Sequence, residues 1–187
     1  MWRYSAKLAR CARLALVAVA LLACGGCWLT TRDAFISSSN SVVPLQAGTY
    51  NLCRPGEASC SLYIIRTPGT SAQLYGFNQA LDVYVEAWSV RFQRIPDRRN
   101  IYLMQVGGPE GGGFFVLVGV FHGNSFNVFG IPCAGINESV ARRLSIVRDG
   151  ESECTLDGGD PLETVATWEE ETGERLELYG SFHRLPQ

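Results

Sequence analysis

From Gly48 to Ile131 the chain reads as a succession of β-strands, apolar or aromatic runs broken by turn signals. "TYNLC", "SLYIIRT" and "AQLYGFN" are separated by the turn-rich stretches "RPGEAS" and "PGTS". "VYVEAWSVRFQRI" then alternates, with Tyr84, Trp88, Val90 and Phe92 on one face and Ser89, Arg91 and Gln93 on the other, the pattern of a half-solvated strand. "IYLMQVG" and "GFFVLVGVFH" are more continuously apolar, so both of their faces are expected to be covered. Gly123-Asn124 supplies a two-residue hairpin turn. Seven strands joined by short loops predict an antiparallel meander, curved into an open barrel or packed as a sandwich.

After Cys133 the period becomes helical. Asn137 is placed to cap a helix carrying the stripe Val140, Leu144 and Val147 and ending near Gly150. "ECTLD" reads as a short strand. Asp160-Pro161-Leu162-Glu163 then offers an N-cap, a proline at the first helical position and a capping glutamate, with Gly173 at the far end. "RLELYGSFHRL" returns as a strand. The expected class is α+β, a mainly antiparallel sheet with two C-terminal helices covering one side.

The first residues carry a separate message. Arg3, Lys7, Arg10 and Arg13 stand without an acid before an apolar core from Leu14 to Ala23. As a helix that core rises about 15 Å, half of the ~30 Å hydrocarbon layer, so it suits a cleaved export signal better than a membrane span. Leu21, Leu22, Ala23 and Cys24 resemble the lipobox of bacterial lipoproteins. The resemblance covers about the first two dozen residues, and Leu22 departs from the smaller or β-branched residue usual there. It implies cleavage before Cys24, a diacylglycerol on its thiol and acylation of the new amino group. It also implies a location in the bacterial cell envelope, and Gly25 rather than aspartate after the cysteine leans toward the periplasmic side of the outer membrane. Cleavage before Cys27 is the alternative, since it leaves an even number of cysteines. The expected division is a signal peptide over 1–23, a lipidated N-terminus and Ser/Asn-rich tether over 24–47, and a single domain over 48–187.

Export bears on charge and cysteines. Without the signal the chain keeps 12 arginines, no lysine and 18 acids, a net charge near −6, which does not suit nucleic-acid binding. Eleven of the acids fall from Asp149 onward, as expected of a solvated acidic end. In an oxidising compartment Cys53 and Cys60, flanking one turn, and Cys133 and Cys154, bracketing the first helix, are disulfide candidates. Zinc is the alternative for these cysteines, but the spacings are not CxxC pairs and the chain has 2 histidines, so no metal or other cofactor is expected.

Local signals for catalysis are sparse. His122 beside a hairpin turn and His183 near the last strand are expected at the surface, no GxSxG surrounds a serine, and Cys133 lies in "GIPCAGIN" without a nucleophile signature. Gly107 to Gly113 lacks the Lys-Ser/Thr of a phosphate loop and contains Glu110, so it reads as a hairpin loop. Glu169, Glu170 and Glu171 are consecutive on a helix and therefore do not converge. Arg91, Arg94, Arg98 and Arg99 gather around one strand connection as a candidate anion site for lipid head groups or envelope glycan. The expected function is that of a non-enzymatic binding or structural module, attached to the membrane by its lipid and meeting an envelope protein or glycan. The alternative is a periplasm-facing enzyme or small-ligand receptor with a pocket between sheet and helices.

Overall fold

The computed structural model describes residues 28–78, 82–108, 111–133, 136–148 and 154–186. In chain order its elements are β1 (Leu29–Thr31), β2 (Gly48–Cys53), β3 (Ser61–Arg66), β4 (Ala72–Asn78), β5 (Val83–Arg94), β6 (Ile101–Gly107), β7 (Phe114–His122) and β8 (Ser125–Gly130). There follow α1 (Glu138–Arg143), β9 (Ile146–Arg148), β10 (Cys154–Leu156), α2 (Pro161–Thr172) and β11 (Glu177–Arg184). Strands β2 to β8 form an up-and-down antiparallel meander, and β11 pairs with both β8 and β2. The ring is therefore a closed eight-stranded barrel, which corrects the expected open barrel or sandwich. Closure depends on "ELYGSFHR", a strand legible in sequence whose two partners are not adjacent to it in the chain.

Alternation sets the interior. Leu52, Ile65, Leu74, Val90, Phe92, Met104, Phe126, Val128 and Phe182 are buried, whereas Ser89, Arg91 and Gln93 face outward on β5. Polar residues outside and apolar residues inside are the reverse of a barrel whose outer band faces lipid. At one end, here called the floor, the Phe126 and Phe182 rings stack at 4.5 Å between centroids and Phe121 stacks on Phe126 at 5.1 Å. The floor lies beside the Gly123-Asn124 turn, where His122 pairs with Ser125 as the hairpin signal predicts.

Strand β5 outruns its neighbour. Ser89 to Arg94 pair with β6, while Val83 to Trp88 pair with β4 alone. A bulge at Ala87, between the pairs Leu74–Trp88 and Tyr75–Glu86, shifts the register there. The β4–β5 ribbon thus stands beyond the barrel wall at the end opposite the floor.

The segment expected as a tether is folded over residues 28–47. Leu29 and Ile36 are 0% and 1% exposed, and β1 pairs with the start of β7 and runs parallel to β10. The Gln105 side-chain oxygen accepts from the backbone N–H groups of Phe35 and Ile36, at 2.7 and 2.8 Å. This strap belongs to a second core of Leu29, Ile36, Leu103, Val116, Ile131, Ile146, Leu156 and Trp168, outside the barrel wall. Leu103 and Val116 supply the outward faces of β6 and β7, so both strands are covered on two sides.

Asn137 caps α1 by accepting from the Ser139 N–H, and Asp160 caps α2 by accepting from the Leu162 N–H. The first helix is shorter than expected: it ends at Leu144, and Val147 lies in β9, 42% exposed. Ser145 takes a left-handed φ of 57°, and the β-branched Ile146 and Val147 then pair with β10. Disulfides join Cys53 to Cys60 and Cys133 to Cys154, with Cα separations of 4.3 and 6.3 Å.

Candidate functional site

Inside the barrel, above the aromatic floor, lies a cavity of about 100 Å³ lined by Leu52, Leu74, Val106, Leu117 and Val128 together with the rings of Tyr63, Trp88 and Phe115. Its position is dictated by strand alternation: these side chains occupy inward positions, and the rings of Phe126 and Phe182 close the well beneath them.

The cavity opens at the end where β2, β4, β6 and β8 finish. Trp28, the residue before β1, leans into this mouth over Gly130, and its edge meets Tyr179 at 6.1 Å between centroids. Across the mouth Trp88 meets Phe115 edge-on at 6.0 Å. Four features rim the opening: the β2–β3 turn closed by Cys53–Cys60, the β4–β5 ribbon, the β6–β7 loop and the Trp28 segment.

A paired cation stands at the rim. Arg54 donates through Nη1 to Glu57 Oε1 at 3.1 Å and through Nη2 to the Tyr179 hydroxyl at 3.1 Å, with its guanidinium over the Tyr179 ring. Its Nε is buried without a partner. Burial acts to lower the Arg54 guanidinium, but Tyr179 and Glu57 together raise it, so the cation persists. The Tyr63 phenol is raised, chiefly by burial and against the lowering influence of Arg54. The mouth therefore offers one paired guanidinium and two phenols above an apolar well.

The residues singled out from the sequence are distributed elsewhere. Arg91 donates to the Ile36 carbonyl at 2.8 Å, Arg94 lies over the Tyr102 ring, and Arg98 and Arg99 are exposed in the β5–β6 turn at the floor end. Arg91 is thus engaged by the strap, whereas the other three stand at the β5–β6 connection. His122 and His183 both stand beside Ser125 on adjacent strands, outward-facing and exposed at the floor, and the Ser125 hydroxyl donates to the His122 carbonyl. No cluster of three or more metal-ligating side chains occurs among the described residues. In the β6–β7 loop Gly113, at a φ of 105°, lies so close to the Thr31 carbonyl that a Cβ would approach it to 2.7 Å. Glu171 pairs with Arg143, tying α2 to α1. Cys24 and Cys27 lie outside the described residues.

Sequence reading did not find Trp28, Arg54, Tyr63 or Tyr179 as a group. They come from four separate segments, and only the closure of the ring brings them to one opening. The signal that was present is the run of aromatics at alternating strand positions, among them Tyr63 and Trp88. Comparisons with protein-family models, curated proteins and solved structures find no match.

Proposed function

We propose that this chain is a lipid-anchored protein of the bacterial cell envelope whose barrel is a non-enzymatic binding module for an apolar group. The observation that carries the reading is the cavity, apolar on its walls, closed at the floor and open beside Trp28. The lipobox-like Leu21 to Cys24 supports the anchor, and two disulfides accord with an oxidising compartment. A periplasm-facing position on the outer membrane follows from Gly25 within that reading.

Magnitude narrows the ligand. A cavity of about 150 Å³ holds benzene, so 100 Å³ takes only the last few carbons of a chain. At ~0.8 kcal/mol per methylene, three or four contribute about 3 kcal/mol, short of the ~4.1 that corresponds to millimolar affinity. A free solute would bind weakly, whereas a ligand already held near the mouth needs no more than this.

The test has two parts. Intact mass of protein extracted from membranes, before and after reduction, is expected to show cleavage before Cys24, acyl chains and a gain of four hydrogens for the two disulfides. Nuclear magnetic resonance titration with a short-chain alcohol at tens of millimolar and above is expected to shift the methyl signals of the cavity lining, weakly and saturably, and Leu117→Trp, which fills the well, is expected to abolish the shifts. An unprocessed chain, or shifts indifferent to the filled cavity, would overturn the reading.

A further inference from the structure

We infer that the mouth of the barrel faces the bilayer and that its occupant is the end of a membrane acyl chain. The inference rests on the lipid-anchor reading above and adds an orientation and a ligand class to it.

Three observations coincide at one end of the molecule. The first is reach. Trp28 is fixed at the mouth by its bridge to Pro132 and by the Leu29 N–H to Ile131 carbonyl bond, at 3.1 Å. Four residue steps separate it from Cys24, so an acylated Cys24 lies within about 14 Å of Trp28 whatever path those residues take. The anchor therefore ties the mouth end, not the floor, to the membrane surface.

The second is the β4–β5 ribbon. Phe77, Val83 and Val85 are 39%, 47% and 40% exposed, and the Phe77 ring packs against Tyr84 at 5.2 Å. By register Val85 is opposite Gly76 and Val83 opposite Asn78, which continues the inward face of β4 beyond the wall. The ribbon thus holds two apolar side chains over the opening and an aromatic pair on its other face. Such a mixture of aromatic and branched residues suits the boundary between head groups and chains.

The third is the cavity, which opens between these two features and is apolar to its floor. Glu57, Asp82 and Glu86 stand at the same end, with Arg32 and Asp33 next to each other beside Gly113, and Glu57 already holds Arg54, so carboxylates outnumber cations there. The face is therefore built for hydrocarbon and uncharged or zwitterionic head groups rather than for an anionic surface. Arg98 and Arg99, the exposed cations of the β5–β6 turn, point away from the membrane in this orientation.

The tryptophans provide the test. Trp88 lines the cavity, whereas Trp168 is 0% exposed in the second core. Lipidated full-length mature protein is reconstituted into phosphatidylcholine vesicles whose acyl chains carry bromine near the methyl end. Single-tryptophan forms, retaining Trp88 or Trp168, report contact quenching. Loss of most Trp88 emission with little change at Trp168 is expected, and Val83→Asp with Val85→Asp, at exposed positions, is expected to restore the Trp88 emission.

Hydrogen exchange on the unaltered lipoprotein serves as an independent measurement. Vesicles should slow exchange over Tyr75–Phe77 and Tyr84–Ala87 and leave the Asp97–Arg99 turn unchanged. Protein that is lipidated and vesicle-bound, yet is protected at the Asp97–Arg99 turn instead, or whose Trp88 stays unquenched both as it stands and in the Cys24→Ser form described next, would overturn the orientation while leaving the anchor intact. Protein that carries no lipid would overturn the anchor itself. A Cys24→Ser form added to the same vesicles separates the sources of the chain. Equal quenching in both forms assigns a bilayer lipid, and quenching confined to Cys24→Ser assigns the protein's own chain as the native occupant.

Discussion

The indole of Trp28 fills the space that a side chain on Gly130 would need, so one glycine in β8 and one aromatic before β1 together set the width of the mouth. Gly130→Val is expected to eject the ring and to destabilise the fold by about 1–3 kcal/mol, the usual cost of overpacking. In the double variant with Trp28→Ala the clash is gone, so the pair should cost less than the sum of the two single changes. Urea midpoints of the four proteins give the coupling directly. Strict additivity would show that the ring does not sit over Gly130.

Gln105 is a buried polar peg that holds the strap. It is 4% exposed, and its side-chain oxygen accepts from two successive backbone N–H groups, Phe35 and Ile36. Gln105→Leu keeps the size and leaves both donors without this acceptor, at an expected cost of about 2 kcal/mol. The local consequence is more specific than the global one. Amide exchange at Phe35 and Ile36 should accelerate well beyond what the loss of overall stability explains, while Leu103 in the same strand stays protected.

Much of the barrel could be read before the structure, because strand alternation is a local property. Seven of its eight walls fall inside the predicted meander, and the Gly123-Asn124 and Asp160-Pro161 signals lie where the chain turns and where α2 begins. What escaped reading depends on partners far away in the chain. "LTT" is too short and too polar to announce a strand, and it becomes β1 only because β7 and β10 leave room between them. Val147 fits a helical stripe as well as a strand, and pairing with β10 decides the matter. The mouth was illegible for the same reason: Arg54 and Tyr179 are 125 residues apart, and no local pattern links them.

The two disulfides close loops of unequal length, 7 and 21 residues of separation. In the chain-entropy model the shorter contributes about 2 kcal/mol and the longer about 3 kcal/mol. Cys133 and Cys154 are also 3% and 2% exposed in the second core, so Cys133→Ala with Cys154→Ala additionally loses packing. The expected order is a larger fall in urea midpoint for that pair than for Cys53→Ala with Cys60→Ala. The second pair should instead loosen the mouth, seen as faster exchange over the β2–β3 turn with little change in the core around Trp168.

Two buried phenols make stability fall on the alkaline side. Tyr50 is raised chiefly by burial, although Arg184 and the hydrogen bond to the Gln46 carbonyl act to lower it, and Tyr63 is raised chiefly by burial as well. Below the ordinary phenol value of about 10 both groups are neutral in the folded and unfolded chain, and their contribution is fully present. As pH rises beyond that, the unfolded chain ionises first, and stability is lost until the higher folded values are passed. The slope is at most about 1.4 kcal/mol per pH unit for each group. Unfolding free energies measured from pH 8 to 11, with free thiols blocked, should therefore decline more gently for Tyr63→Phe than for the unaltered protein. Tyr50→Phe should also flatten the decline, but it removes the donor to the Gln46 carbonyl and so costs about 1 kcal/mol already at pH 8. An unchanged alkaline slope in both variants would mean that neither phenol is held neutral by the barrel wall, and the burial assigned to the cavity lining would be wrong.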